Sequence, residues 1–168
     1  MDTLYILRLP QQMRNTLTRV RNELYQNSGD SSFCSLEACI ILGPVQAEPK
    51  TGWIDSPPLP LITEGSARFS HGMLFLPIAE QSLQAIRRQL ETDYPISGIY
   101  LGKSEQPLVL EPLGIKDLSL ARLSWETHAN LVRWRIFSET HLDSGTNRPT
   151  DSARTQVSLH DTLSGRTN

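Results

Sequence analysis

Two neighbouring stretches decide the fold: GMLFLPIAEQSLQAIRRQL, residues 72–90, and DYPISGIYLGK, residues 93–103. Met73, Leu74, Phe75 and Leu76 form an unbroken apolar run at the centre of a predicted strand from His71 to Ile78, with Pro77 at its end. Leu83, Ile86 and Leu90 then recur at spacings of three and four. They share one helical face, and Gln84, Arg87, Arg88 and Glu91 share the other. Tyr94 and Pro95 break the helix. Ile96 to Leu101 follows as a second strand, with Gly98 inside it and Gly102 closing it. The unit is β-α-β.

The same order appears nearer the N-terminus. Leu4 to Leu9 is a short apolar run ended by Pro10. Met13, Leu17, Val20 and Leu24 form one apolar stripe, with Arg14, Arg19, Arg21 and Glu23 mostly on the other side. Asn27, Ser28, Gly29 and Asp30 stop that helix. Ala38 to Leu42 reads as a buried strand closed by Gly43 and Pro44. Two β-α-β halves of similar length suggest an internal duplication, although their sequences are hardly alike.

Between the halves, Glu48 to Glu64 holds Pro49, Pro57, Pro58 and Pro60 and reads as an irregular loop with a short strand near Leu59 to Thr63. Trp53 and Ile54 are expected to fold back onto the body. Leu118 to Leu123 and Leu131 to Phe137 read as antiparallel strands around a turn at Glu126 to Asn130. In the second, Val132, Trp134 and Ile136 alternate with Arg133 and Arg135, the pattern of a half-buried strand. The class is α+β: two β-α-β halves plus a C-terminal hairpin, forming a mixed or antiparallel sheet sandwich with the helices packed outside.

A chain of 168 residues with 38% hydrophobic content fits one domain. After His141 the composition turns to Ser, Thr, Asp, Asn, Arg and Gly. The domain is therefore placed at residues 1–142, and 143–168 is expected to be a disordered polar tail. The net charge of −2 excludes little about partners. Cys34 and Cys39 are not a CxxC pair and have no histidine nearby, so they read as small buried hydrophobes in a reducing compartment. No run reaches the roughly 18–20 apolar residues of a membrane span. The N-terminus lacks the marks of a signal peptide, so the expected location is cytoplasmic. No Gly-x-Ser-x-Gly elbow, Walker loop or dinucleotide fingerprint occurs, and no cofactor is expected.

The stretch 72–90 with 93–103 resembles the second half of 2H phosphoesterases, a superfamily that includes the RNA 2′,3′-cyclic phosphodiesterases, also called RNA 2′,5′ ligase-like proteins. LYILRLP and the later ACIILGP resemble the first half, and IKDLSLARLSWETHANLVRWRIFSETHL is similar to the closing hairpin. The resemblance spans roughly residues 4–142. It implies two His-x-Thr or His-x-Ser motifs facing one cleft. One imidazole would act as base and the other as acid on a cyclic phosphodiester, with the hydroxyls binding phosphate oxygens. The first motif falls within Leu36 to Ile40 and the second at about Gly98-Ile99-Tyr100. Neither segment contains a histidine, so neither dyad carries over to this chain.

Other candidates remain. Phe69-Ser70-His71-Gly72-Met73 superficially resembles a motif segment with Met73 in place of the hydroxyl residue, which makes His71 a candidate catalytic residue. His128 and His141 are candidates for a second histidine. Their spacing matches no metal motif, and no metal site is expected. Arg122, Arg133 and Arg135 are the candidate ligand-binding set, because a cationic sheet face suits a phosphate-bearing ligand or RNA. The plainer reading of the same arginines is a solvated strand face partly balanced by Glu126 and Glu139. Trp134, in phase with Val132 and Ile136, is expected in the core. Three functions follow: a catalytically degenerate 2H-like module binding RNA or a nucleotide, an active phosphodiesterase using His71 and a second histidine, or an unrelated α+β domain with a protein partner.

Overall fold

Alternate residues of the first strand, β1 (Asp2–Arg8), enter two different cores. Leu4 and Ile6 join one buried cluster, and Tyr5 and Leu7 join the other. A strand apolar on both faces belongs inside a sheet. The computed structural model describes residues 2–46, 53–128 and 131–142, with side chains described for all of these except residues 2, 125–128 and 131–133. The proposed polar tail 143–168 and part of the proline-rich loop, including Pro49, lie outside the described residues.

Helix α1 (Gln11–Ser28) and the short α2 (Ser32–Ser35) separate β1 from β2 (Cys39–Pro44). Strands β3 (Leu61–Ile62), β4 (Arg68–Ser70) and β5 (Met73–Pro77) precede helix α3 (Gln81–Gln89) and strand β6 (Gly98–Gly102). Strand β7 (Gly114–Ile115) and a long hairpin of β8 (Leu118–His128) and β9 (Leu131–Leu142) complete the order. One seven-stranded sheet runs β4-β5-β6-β2-β1-β8-β9, and β3 pairs with β7 in a two-stranded sheet. Every pairing in both sheets is antiparallel. The α+β class holds, and the mixed-sheet option drops out.

Each face of the large sheet carries a buried apolar cluster. One carries Tyr5, Leu7, Ile40, Leu76, Ile99, Leu118 and Leu120 under Leu17 and Leu24 of α1 and Leu83 and Ile86 of α3. We call this the helix face. The opposite face carries Ile6, Cys39, Ile41, Tyr100, Ala121 and Leu123, with Met73, Tyr94 and Trp134 packed against them.

Local signals fix the ends of these elements. Helix α1 stops at Gly29, which takes φ 73 and donates its N–H to Tyr25 O. That left-handed conformation is one glycine adopts at no steric cost. In the hairpin, Arg122 pairs with Ser138 and Leu123 with Ile136, so Phe137 is an extra residue, a β-bulge.

Three expectations need correction. His71 does not begin a strand. It occupies the two-residue turn between β4 and β5 at φ 53, followed by Gly72 at φ 74. Two positive φ values are what a tight primed hairpin turn requires. Second, Cys34 is exposed on α2, and only Cys39 is buried. Third, Arg21 and Arg87 lie in the interior at 5% and 4% exposure rather than on the polar helix faces. The predicted 126–130 turn is also shorter than expected, because pairing continues to His128 opposite Leu131.

Candidate functional site

The two halves meet where β2 pairs with β6, through Cys39 opposite Tyr100 and Ile40 opposite Ile99. This seam brings together the segments Leu36 to Ile40 and Gly98 to Tyr100. Leu36, Cys39 and Tyr100 all face the cluster opposite the helices and are essentially inaccessible to solvent. Burial, reinforced by the Glu37 charge, pushes the Cys39 thiol far above its ordinary range. Burial also raises the Tyr100 phenol, against the opposing pull of Arg21. Both groups stay protonated at neutral pH. Gly98 leaves no room for a side chain, because a Cβ there would run into the Leu76 carbonyl.

Beyond the two paired positions the strands diverge, and a buried guanidinium fills each gap. Arg21 of α1 donates from Nε to Leu101 O at 2.7 Å and from Nη2 to Ser32 O at 3.2 Å. Arg87 of α3 donates to Leu42 O, Ile41 O and Ile96 O at 2.8–3.0 Å, and to Ser97 Oγ at 2.8 Å. Desolvation lowers the pKa of both.

The arrangement is two-fold in character. The helix of the first half clamps the strand of the second at the residue before Gly102. The helix of the second half clamps the strand of the first at the residue before Gly43. Each glycine lies against the other half's connecting segment. A Cβ on Gly43 would strike Thr92 and Asp93, and one on Gly102 would strike Phe33.

Sequence reasoning missed these arginines, but a signal existed. Both helical segments carry Leu-x-x-x-Arg-x-x-Leu, at 17–24 and at 83–90, and both following strands carry Leu-Gly at or next to their last residue.

The sheet keeps the candidate histidines apart. His71 is exposed at the β4–β5 turn, with its Nδ1 2.8 Å from Ser70 Oγ. His141 is exposed on β9 opposite Ser119, in a row that continues through Arg8 and Cys39 to Tyr100. Five inter-strand steps separate β5 from β9, about 24 Å along the sheet at roughly 4.8 Å per step. His128 lies at the tip of β8, on the same side of the sheet order as His141. The structure therefore does not join His71 to either of them.

The arginine set fares differently. Arg122 and Arg135 share the helix side of the sheet by register, through the pairs Tyr5–Arg122, Arg122–Ser138 and Ser124–Arg135. Arg133 pairs with Glu126, and its side chain lies outside the described residues. Arg135 is exposed, while Arg122 is half-buried with Cζ 5.2 Å from the Phe137 ring centroid. At the rim of the opposite face, Arg8 binds Glu37 through Nε and Nη2 and Glu139 through Nη1, all within 3.0 Å. Trp134 is half-buried there and donates its indole N–H to Ser35 O.

Two surface recesses lie elsewhere. One of about 360 Å³ is lined by Met13, Thr16, Leu113 and Lys116, and one of about 270 Å³ by Glu80, Gln84, Arg88 and Asp93. Neither reaches Cys39 or Arg135. Among the described residues, no helix is long and apolar enough to cross a membrane.

This architecture matches known structures. E. coli LigT complexed with 3′-AMP superimposes with a TM-score of 0.52 at 11% identity, covering 84% of this chain and 97% of that one. LigT in its apo form gives 0.52 at 13% identity, covering 84% and 96%. The chain has the fold of LigT. No protein-family model matches the sequence, and no curated protein matches it. The likeness is one of fold, and it spans nearly all of LigT.

Proposed function

We propose that this chain is a non-catalytic 2H-phosphoesterase-like domain that binds RNA or another phosphate-bearing ligand through the arginine face of its C-terminal hairpin. One observation carries the first part. At the seam where the family's two motifs would meet stand Cys39, Tyr100 and a glycine that admits no side chain. Proton transfer between a substrate and two imidazoles needs groups that titrate near neutral pH and reach the substrate. The groups here are protonated, buried and packed among Ile6, Ile41 and Leu123.

Binding through the arginines is supported by the shared face of Arg122 and Arg135. The nucleotide held by LigT in one of its structures favours a nucleotide or RNA as the ligand. Guanidinium groups bind phosphate oxygens through charge-assisted hydrogen bonds, so such binding weakens as salt rises.

The test has two arms. The protein is incubated with a 2′,3′-cyclic nucleotide, and no ring opening above the buffer rate is expected. Anisotropy of a labelled single-stranded RNA should then show salt-sensitive binding that Arg135→Ala weakens. Hydrolysis that survives repeat purification would overturn the non-catalytic reading. Failure to bind RNA or 3′-AMP at low salt would overturn the binding reading.

A further inference from the structure

Simple alternation along β9 would put Arg135, Phe137 and Glu139 on one face. The bulge at Phe137 shifts that phase. Arg135 and Ser138 now share the helix side of the sheet, while Glu139 turns to the opposite face, where it meets Arg8. The result is a two-by-two patch. Arg122 and Ser124 follow each other at i and i+2 on β8, with Ser138 directly across from Arg122 and Arg135 directly across from Ser124. Positions directly across lie about 4.5–5.5 Å apart, and i to i+2 along a strand is roughly 6.6 Å. Two guanidiniums therefore occupy one diagonal and two hydroxyls the other.

The hydroxyls are not surface decoration. Ser124 is 7% exposed and Ser138 is 3% exposed, and Ser138 Oγ has no hydrogen-bond partner among the described residues. A buried hydroxyl left unpaired costs stability, and such orphans are uncommon in folded proteins. An acceptor delivered by a ligand would satisfy it. Bulges are also frequent beside functional sites, because they re-aim single side chains. Arg135 is exposed, so the patch meets solvent at that corner.

The geometry points to a phosphate subsite on this hairpin, in which Ser138 and Ser124 donate hydroxyl hydrogen bonds to the non-bridging oxygens of a phosphate held by Arg122 and Arg135. The subsite rests on the binding proposed above and deepens it. It adds two serines that no charge pattern reveals, and it lies on the sheet face opposite the Cys39–Tyr100 seam. The ligand class is a phosphate ester, read by shape and charge rather than by base identity.

Inorganic phosphate, 3′-AMP and a short single-stranded RNA are titrated against the full chain by calorimetry, with adenosine as the control. Ser138→Ala is compared with wild type, Arg135→Ala and Ser138→Thr. The expected result is about 5- to 20-fold weaker binding of 3′-AMP by Ser138→Ala, near recovery in Ser138→Thr, and no adenosine binding by any protein. Inorganic phosphate competing with 3′-AMP would mark free phosphate as sufficient. Competition by RNA alone would assign the subsite to a phosphodiester backbone. If Arg135→Ala weakens binding but Ser138→Ala binds as wild type, the subsite is refuted while the arginine face survives. If the wild type binds none of the probes, both readings fall together. A gain in melting temperature for Ser138→Ala with unchanged binding would likewise overturn the subsite and leave an unsatisfied hydroxyl of the fold.

Discussion

Replacing Arg87 with Met tests whether the buried guanidiniums hold the halves together. The side chain makes four hydrogen bonds, three of them to main-chain carbonyls on both sides of the seam. A hydrogen bond to a charged group contributes about 1.5–3 kcal/mol, so the gross loss is roughly 6–12 kcal/mol. Removing a buried cation returns its desolvation cost of several kcal/mol. The net destabilisation should be about 3–4 kcal/mol, a large share of the roughly 5–15 kcal/mol that a domain has.

Equilibrium urea unfolding followed by tryptophan fluorescence measures this directly, with the midpoint falling and the slope unchanged. Arg21→Met removes two bonds and the Tyr100 contact, so about 2 kcal/mol is expected from the same hydrogen-bond scale. If both arginines close one seam, the double variant should depart from additivity by at least about 0.5 kcal/mol. A cost below about 1 kcal/mol for Arg87→Met, or strict additivity of the pair, would refute the clamp.

Three further outcomes follow from the same packing. With a thiol reagent at neutral pH, Cys34 should react readily and Cys39 only on unfolding, because Cys39 is buried and its thiol is held protonated; two equally fast thiols would contradict the packing of the seam. Gly98→Ala should cost about 2–3 kcal/mol by thermal melt, since the new methyl meets a main-chain carbonyl that cannot rotate away, and an unchanged melting temperature would remove the steric argument at that position. Asp30 is held below its ordinary pKa by hydrogen bonds from the Ser104 hydroxyl and the Ser32 N–H. The stability this gives is present above the unfolded value near pH 4 and is lost as pH falls through the folded pKa. The difference between wild type and Asp30→Asn should thus be on the order of 0.5 kcal/mol at pH 7 and shrink as pH falls below the unfolded value, and a pH-independent difference would refute the linkage.

Much of the fold was legible because apolar runs and helical stripes fall on the residues that pack. Met73 to Leu76, Leu83 with Ile86, and Leu4 with Ile6 are all buried or partly buried where periodicity put them. The reading failed where one side chain defied its class. Arg21 and Arg87 look like solvent-facing charges on a wheel, yet backbone carbonyls freed by the diverging strands make the interior hospitable to them. Strands as short as β4 and β7 leave no periodic signal, since two or three residues cannot establish an alternation. The bulge at Phe137 is equally silent in the sequence, and it alone decides that Ser138 rather than Glu139 joins the arginine side. The candidate site was therefore half legible. Arg122 and Arg135 could be named from charge, and their serine neighbours could not.

The arginine clamps and the proposed non-catalytic role rest on the same feature of the fold. A catalytic cleft on this fold must keep polar, titratable groups wet at the point where the two halves meet. Here that point is made as dry as a core: Cys39 and Tyr100 are buried, Ile6 and Ile41 flank them, and cations from both helices close the strand ends. Placing two working histidines there would take more than two substitutions. The imidazole at position 98 needs space that the Leu76 carbonyl occupies, and charging either ring would require water that Leu123 and Ile136 displace. Under the proposed binding role, Arg122 and Arg135 on the hairpin would meet a charged ligand without disturbing the seam.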